Sequence, residues 1–158
     1  MRKSLLVIII SLLSSCNNGL EPPIERASPI LSGNIIVTGG SLLDSATGLR
    51  VAAFKLSSLD SASQFYNEIL SGNAYLSDNL LISKADLDTI PFKFEIRENQ
   101  INFKYIIASV EKNGDVFNQT AVGIFGENNS PFEVNLIDDD SVYIEIFVDF
   151  NNLPPQPF

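Results

Sequence analysis

Histidine and tryptophan are absent from this chain, and cysteine and methionine occur once each. Without histidine the commonest general base near neutral pH and the commonest transition-metal ligand are both gone. One cysteine excludes an internal disulfide, and a chain of 158 residues is long enough to bury a core without such a staple. Basic residues are scarce. The 10 Lys+Arg face 19 Asp+Glu, for a formal charge of -9 and a pI near 4.3. That balance argues against nucleic acid as a partner, because phosphate binding needs a basic face. With 45% apolar and 18% charged residues the composition is that of a folded domain, not of a disordered chain. No internal repeat is present.

The longest apolar run stands at the very start. Arg2 and Lys3 precede Leu5–Leu13 (LLVIIISLL), interrupted only by Ser11. A membrane-spanning helix needs about 20 such residues, so the run is too short to span and fits the core of a signal peptide. Leu13-Ser14-Ser15-Cys16 follows. Small residues let the backbone lie extended in a protease groove, and the thiol is a nucleophile for thioether attachment of a lipid. In this order these parts resemble the lipobox of bacterial lipoproteins. The resemblance implies that residues 1–15 are a signal peptide and that Cys16 is the lipidated first residue of the mature chain. Two or three acyl chains hold a protein to a bilayer where one is marginal. Asn17 stands where an aspartate would favour inner-membrane retention in enterobacteria, so the resemblance points to a lipid anchor in the outer membrane.

Residues 17–31 (NNGLEPPIERASPIL) hold three prolines and no periodic apolar pattern. Together with Cys16 they read as a flexible tether reaching up to about 50 Å from the lipid. Residues 32–150 read as the folded domain, and residues 151–158, with three prolines, as a tail in which the last strand must stop. That tail is either frayed or packed back on the domain with Phe158 as an anchor.

Alternation of apolar and polar residues predicts strands over 49–56, 92–97, 132–136 and 142–149, and apolar or β-branched runs closed by turn residues predict strands over 34–38 and 120–125, with a further strand in 73–82. Residues 103–110 are nearly continuously apolar and read as one central strand. Asn113-Gly114 predicts a tight hairpin turn. Asp60–Leu70 predicts one short inserted helix near residues 60–70 that opens on an aspartate cap. The expected fold is all-β: an antiparallel β-sandwich of about seven to eight strands. The first strand Ser32–Val37, the second Leu49–Phe54, the aromatic strand Phe103–Ala108 and the closing Tyr143–Val148 resemble prealbumin-like (transthyretin-like) and immunoglobulin-like extracytoplasmic modules. Such folds carry many functions, so the resemblance implies a shape and no activity.

Chemistry is thinly represented. No Gly-x-Ser-x-Gly elbow occurs, and Ser83-Lys84 are neighbours in a loop segment, not a dyad. Glu95, Glu133 and Glu145 occupy polar positions of alternating strands, where carboxylates solvate a sheet face. Used in pairs, they would have to stand about 5–10 Å apart to hydrolyse a glycoside. Asp138-Asp139-Asp140 and Asp149-x-Asn151-Asn152 supply oxygens of the kind calcium takes, but neither has the glycine and later glutamate of a calcium loop. A polar turn and an ordered strand end are the plainer readings. Sugar stacking would have to use Tyr66, Tyr75, Tyr105 and Tyr143. Phe147 is aromatic on the face opposite Ile144 and Ile146. The closing strand is therefore expected to be central in its sheet, the other reading being that its second face meets a partner.

The sequence thus predicts a non-catalytic, lipid-anchored protein of the bacterial cell envelope, a binding or structural module without cofactor or metal, whose partner is a protein or a glycan. The alternatives are a hydrolase of glycans using acidic residues and a subunit of an envelope assembly.

Overall fold

A computed structural model describes residues 27–41, 45–80, 88–128 and 130–156. The segment 1–15 read as a signal peptide, Cys16, Ser83-Lys84 and Phe158 lie outside the described residues. Among the described residues the fold is an all-β sandwich with one short helix, built from β1 (Ile30–Gly39), β2 (Ala46–Phe54), α1 (Ala62–Leu70), β3 (Ala74–Leu76), β4 (Thr89–Glu95) and β5 (Gln100–Phe103). The chain continues through β6 (Tyr105–Lys112), β7 (Asp115–Ile124), β8 (Gly126–Glu127), β9 (Ser130–Pro131), β10 (Val134–Ile137) and β11 (Ser141–Asp149).

One layer is a three-stranded sheet in the order β11-β1-β4, the other a four-stranded sheet in the order β3-β2-β6-β7. A two-stranded β10-β5 pair adds Ile101, Phe103, Val134 and Leu136 to the same core. Among the described residues all pairings are antiparallel except the longest, in which β1 and β11 run parallel from Ile30↔Ser141 to Val37↔Val148. A purely antiparallel sandwich is therefore not what forms, because the two ends of the domain lie side by side in the same direction.

Period-two alternation accounts for the core. Leu31 and Ile35 of β1, Phe92 and Phe94 of β4, and Ile144, Ile146 and Val148 of β11 face Leu49, Val51 and Ala53 of β2 and Ile106, Ala108 and Val110 of β6. Gly33 falls on this inner face. A Cβ there would collide with the Ile144 carbonyl oxygen and lie 2.8 Å from Phe92 Cζ, so the partner strand's backbone and the aromatic ring occupy the space that a side chain would need. Gly123 serves at the sandwich corner, where a Cβ would meet the Phe147 carbonyl oxygen and Val148 Cγ2, each at 2.8 Å. Only glycine lets β11 approach β7 so closely.

The second core lies on the outer face of the four-stranded sheet. There Ala52, Phe54, Tyr105 and Ile107 are covered by Leu59 and by Phe65 of α1, with the Phe54 and Phe65 rings 5.3 Å apart. The helix is capped one residue later than the sequence suggests, by Ser61 and not Asp60. The Ser61 hydroxyl accepts from the Gln64 amide, while the Gln64 side chain accepts from the Asp60 amide. This is a reciprocal cap that satisfies two amides at once.

Two further expectations change, and one open alternative, that of the tail, closes. The folded domain begins before residue 32: Pro29 is buried, Ile30 and Leu31 belong to β1, and the Ala27 amide donates to Asp139 Oδ1 at 2.7 Å. The apolar run over 103–110 is two strands, because the chain passes between sheets at Lys104, whose amide donates to the Phe54 carbonyl. The tail packs back on the domain through Leu153, which joins the main core, and Gln156, which pairs with Ala121. The Asn113-Gly114 hairpin turn forms as expected, with positive φ at both residues.

Candidate functional site

The alternation of β11 that fills the core also decides what it exposes. Ile144, Ile146 and Val148 are buried, so Tyr143, Glu145 and Phe147 point to the opposite face. The sheet order places β11 at an edge, which corrects the expectation of a central strand. Across the sheet, Tyr143 aligns with Ser32 and Lys93, Glu145 with Asn34 and Pro91, and Phe147 with Ile36 and Thr89. Glu145, Pro91, Lys93 and Thr89 are exposed, and Tyr143 and Phe147 are 58% and 59% exposed. This face of the sheet is open among the described residues.

A second element extends the aromatic row. The β8–β9 hairpin folds back so that the Phe132 amide donates to the Phe125 carbonyl at 3.0 Å. Their rings stand edge to face with centroids 5.5 Å apart, a favourable arrangement for aromatic quadrupoles. Phe132 is 47% exposed. Phe125, Phe132, Tyr143, Glu145 and Phe147 together surround a shallow depression of about 510 Å³. It adjoins a groove of about 370 Å³ that shares Phe147 and Gly126 and runs past Asp149 to Leu153.

The other residues singled out in the sequence fall elsewhere. Tyr66 is half-buried on α1, Tyr75 is half-buried against Phe94 and Phe103, and Tyr105 is buried under the helix. Of the four tyrosines only Tyr143 belongs to the exposed aromatic face. Burial raises the Tyr105 phenol above its ordinary pKa. Tyr66 shifts the same way, through burial first and the Asp115 carboxylate second.

Glu95 and Glu145 share the open face but sit opposite Ile30 and Asn34 respectively, thus about 13 Å apart along the strands and about 10 Å across them. That is too far for a pair flanking one glycosidic bond. Glu133 accepts from Asn102 Nδ2 at 3.1 Å. In the acidic turn, Asp139 Oδ1 accepts from the Ala27 amide and Asp140 Oδ2 from the Ile137 amide. Asp149 Oδ1 accepts from the Asn151 amide. These carboxylates order backbone, and among the described residues no group of three or more Asp, Glu or Cys converges on a point.

No family model, curated protein or solved structure matches this chain. Its functional reading therefore rests on its own geometry.

Sequence reasoning reached Tyr143, Glu145 and Phe147 but missed Phe125 and Phe132 as a pair. The available signal was local: each aromatic abuts a turn residue, Gly126 or Pro131.

A second polar cluster lies on the outer face of the four-stranded sheet, beyond the helix. Arg50 Nε contacts Glu111 Oε2 at 3.2 Å and Arg50 Nη1 donates to the Ser77 carbonyl at 3.0 Å. Ser109 bonds Gln119 beside them. Asn79 accepts from the Leu49 amide and donates to the Thr47 carbonyl, completing the edge of β2. These groups satisfy one another and hold β3 to β2.

Proposed function

We propose that this protein is a non-catalytic binding module of the bacterial cell envelope, anchored by lipid at Cys16 and engaging a partner with the open face of its β11-β1-β4 sheet. The observation that carries the binding role is the exposure of Phe132, Tyr143 and Phe147 around one depression. Large exposed aromatic side chains gathered on one surface mark an interaction site more often than a solvated face does. Their burial by a partner contributes roughly 25 cal/mol per Å² of apolar area removed from water.

The anchor rests on the ordered basic start, apolar core and Leu-Ser-Ser-Cys of residues 2–16. A proline-bearing tether ahead of the folded domain holds the aromatic face away from the bilayer surface. The outer membrane is the site this reading favours. No helix among the described residues is long and apolar enough to cross a membrane.

Photo-cross-linking in intact envelopes tests the reading. A photoreactive residue at position 147 should form a discrete adduct, whereas one at the exposed position 99 should not. Cys16→Ala should release the protein from the membrane fraction. Equal labelling from the two positions overturns the binding face, and membrane retention of the Cys16→Ala chain overturns the anchor.

A further inference from the structure

The chain segment that carries the aromatic residues is one-sided in charge, and Lys93, the cation in register with Tyr143 on the same face, is engaged by Glu95 at 3.3 Å. From Asn113 to the end of the chain there is no lysine or arginine, and the segment carries eight carboxylates, among them Glu127, Glu133, Glu145 and Asp149. All four aromatic residues of the depression belong to this segment. Glu145 lies between Tyr143 and Phe147 on the exposed face, and it lines the depression with them. The three ion pairs among the described residues, Arg50–Glu111, Lys55–Glu98 and Lys93–Glu95, leave Glu145 out.

We infer that the aromatic face receives an extended, basic polypeptide segment of a partner protein, with apolar side chains on Tyr143 and Phe147 and a lysine or arginine on Glu145. This rests on the binding role proposed above and names the partner's chemistry. Charge selects the occupant. A second copy of this chain brings a formal charge of -9 to an acidic surface and is repelled, and an anionic lipid or nucleic acid is repelled in the same way. A cationic segment gains from both components of the face. Its charge pairs with Glu145, and arginine or lysine over the ring faces of Tyr143 or Phe147 adds cation–π attraction.

Spacing selects the shape. Residues 143, 145 and 147 project at intervals of about 6.8 Å, the distance between alternate residues of any extended chain. A partner strand laid along β11 therefore places its own i, i+2 and i+4 side chains over Tyr143, Glu145 and Phe147 in register. An apolar–cation–apolar alternation matches that order, and the Phe125–Phe132 pair forms the side wall of the seat.

The test uses the full chain in nonionic detergent and a fluorescent peptide, Ser-Leu-Ser-Arg-Ser-Leu-Ser, repeated twice. The comparison probes are the same peptide with glutamate for arginine and a neutral β-linked glucan oligosaccharide. The arginine peptide should bind with an affinity that falls as salt is raised, and the glutamate peptide about tenfold or more weakly. Tyr143→Ser with Phe147→Ser should weaken the arginine peptide about tenfold. Glu145→Gln should weaken it less and flatten the salt dependence. All substituted positions are exposed, and circular dichroism confirms that the variants fold.

Equal affinity for the arginine and glutamate peptides overturns the inference, as does undiminished binding by the aromatic double variant. Salt-independent capture of the glucan in place of the peptide assigns the face to a glycan. Self-association in sedimentation, lost in the same double variant, assigns it to a second copy. Under each of these outcomes the cross-link from position 147 decides separately whether a binding face exists at all.

Discussion

The side-chain amide of Gln156 stands in for a β-strand beside Ala121. Its Oε1 accepts from the Ala121 amide at 2.9 Å and its Nε2 donates to the Ala121 carbonyl at 3.2 Å. β7 is the last strand of its sheet, so this residue would otherwise offer a paired donor and acceptor to any passing chain. Pro154 and Pro155 precede the contact, and proline cannot donate to a ladder. The tail thus closes an edge that would otherwise invite pairing with other chains.

Gln156→Ala should accordingly cost about 1–3 kcal/mol, the contribution of two hydrogen bonds made at a part-buried edge. A chain ending at residue 152 should lose more, because Leu153 also leaves the core. Chemical denaturation measures both. Sedimentation should show the truncated chain associating at concentrations where the intact one does not. A truncated chain as stable and as monodisperse as the parent would mean that the tail contacts contribute nothing.

The amino-terminal boundary gives a second expectation. Chains beginning at residue 27 should match the longer protein in denaturation midpoint, since residues 17–26 are proline-bearing without a periodic apolar pattern and the contact of Ala27 with Asp139 is kept. A chain beginning at residue 32 lacks Leu31, which is fully buried. It also lacks the pairing of Ile30 and Leu31 with Ser141, Val142, Phe94 and Glu95. Loss of that leucine alone should cost about 2–5 kcal/mol. Equal midpoints for the two starts would place residues 27–31 with the tether after all.

Much of this was legible in the sequence, and the limits are physical. The alternation of β11 is written in residues 142–149, because one strand facing one core enforces period two. Its place at the edge of the sheet is not written there, since it depends on β1, more than a hundred residues away, running parallel to it. The break at Lys104 is concealed for a related reason. Ile101 and Phe103 face the core on odd positions, Ile106, Ala108 and Val110 on even ones. The switch would show as a broken alternation, but Tyr105 and Ile107 are apolar too, buried beneath the helix. The aromatic face was half visible: Phe147 was out of phase with the core from the start, whereas Phe125 and Phe132 meet only because a hairpin returns one to the other. Gln156 carried no signal, as a glutamine between prolines looks like any polar tail.

Tyrosine ionisation offers a pH test, made clean by the absence of tryptophan. Burial raises the Tyr105 pKa, so the folded chain holds the neutral phenol at a pH where the unfolded chain, with an ordinary value of about 10, begins to ionise. A folded-state pKa above the unfolded one contributes stability that is complete below the unfolded value and is lost as pH rises through the folded value. Tyr66 acts in the same direction. Denaturation midpoints should fall from about pH 10 upward, and Tyr105→Phe should make that fall shallower. An alkaline limb of identical slope in the variant would show that Tyr105 ionises as easily in the fold as out of it.

The last expectation separates the two faces of β11. Ile146 is fully buried among Ile35, Val148 and their neighbours, whereas Glu145, one residue earlier, is exposed on the aromatic face. Ile146→Ala removes buried methyl groups and leaves a cavity that the parallel β1–β11 ladder is too regular to collapse, so it should cost about 2–5 kcal/mol. Glu145→Ala should change stability by less than about 0.5 kcal/mol, because a solvated carboxylate away from caps and ion pairs contributes little to folding. The same substitution should nevertheless weaken binding of the arginine peptide. That contrast, silent in denaturation and visible in binding, is what a recognition residue produces and a core residue does not. Denaturation with and without calcium completes the measurement. A large loss of stability in Glu145→Ala, or the loss of a calcium-dependent gain, would make Glu145 a structural or metal-bound carboxylate and leave the aromatic face without its selecting charge.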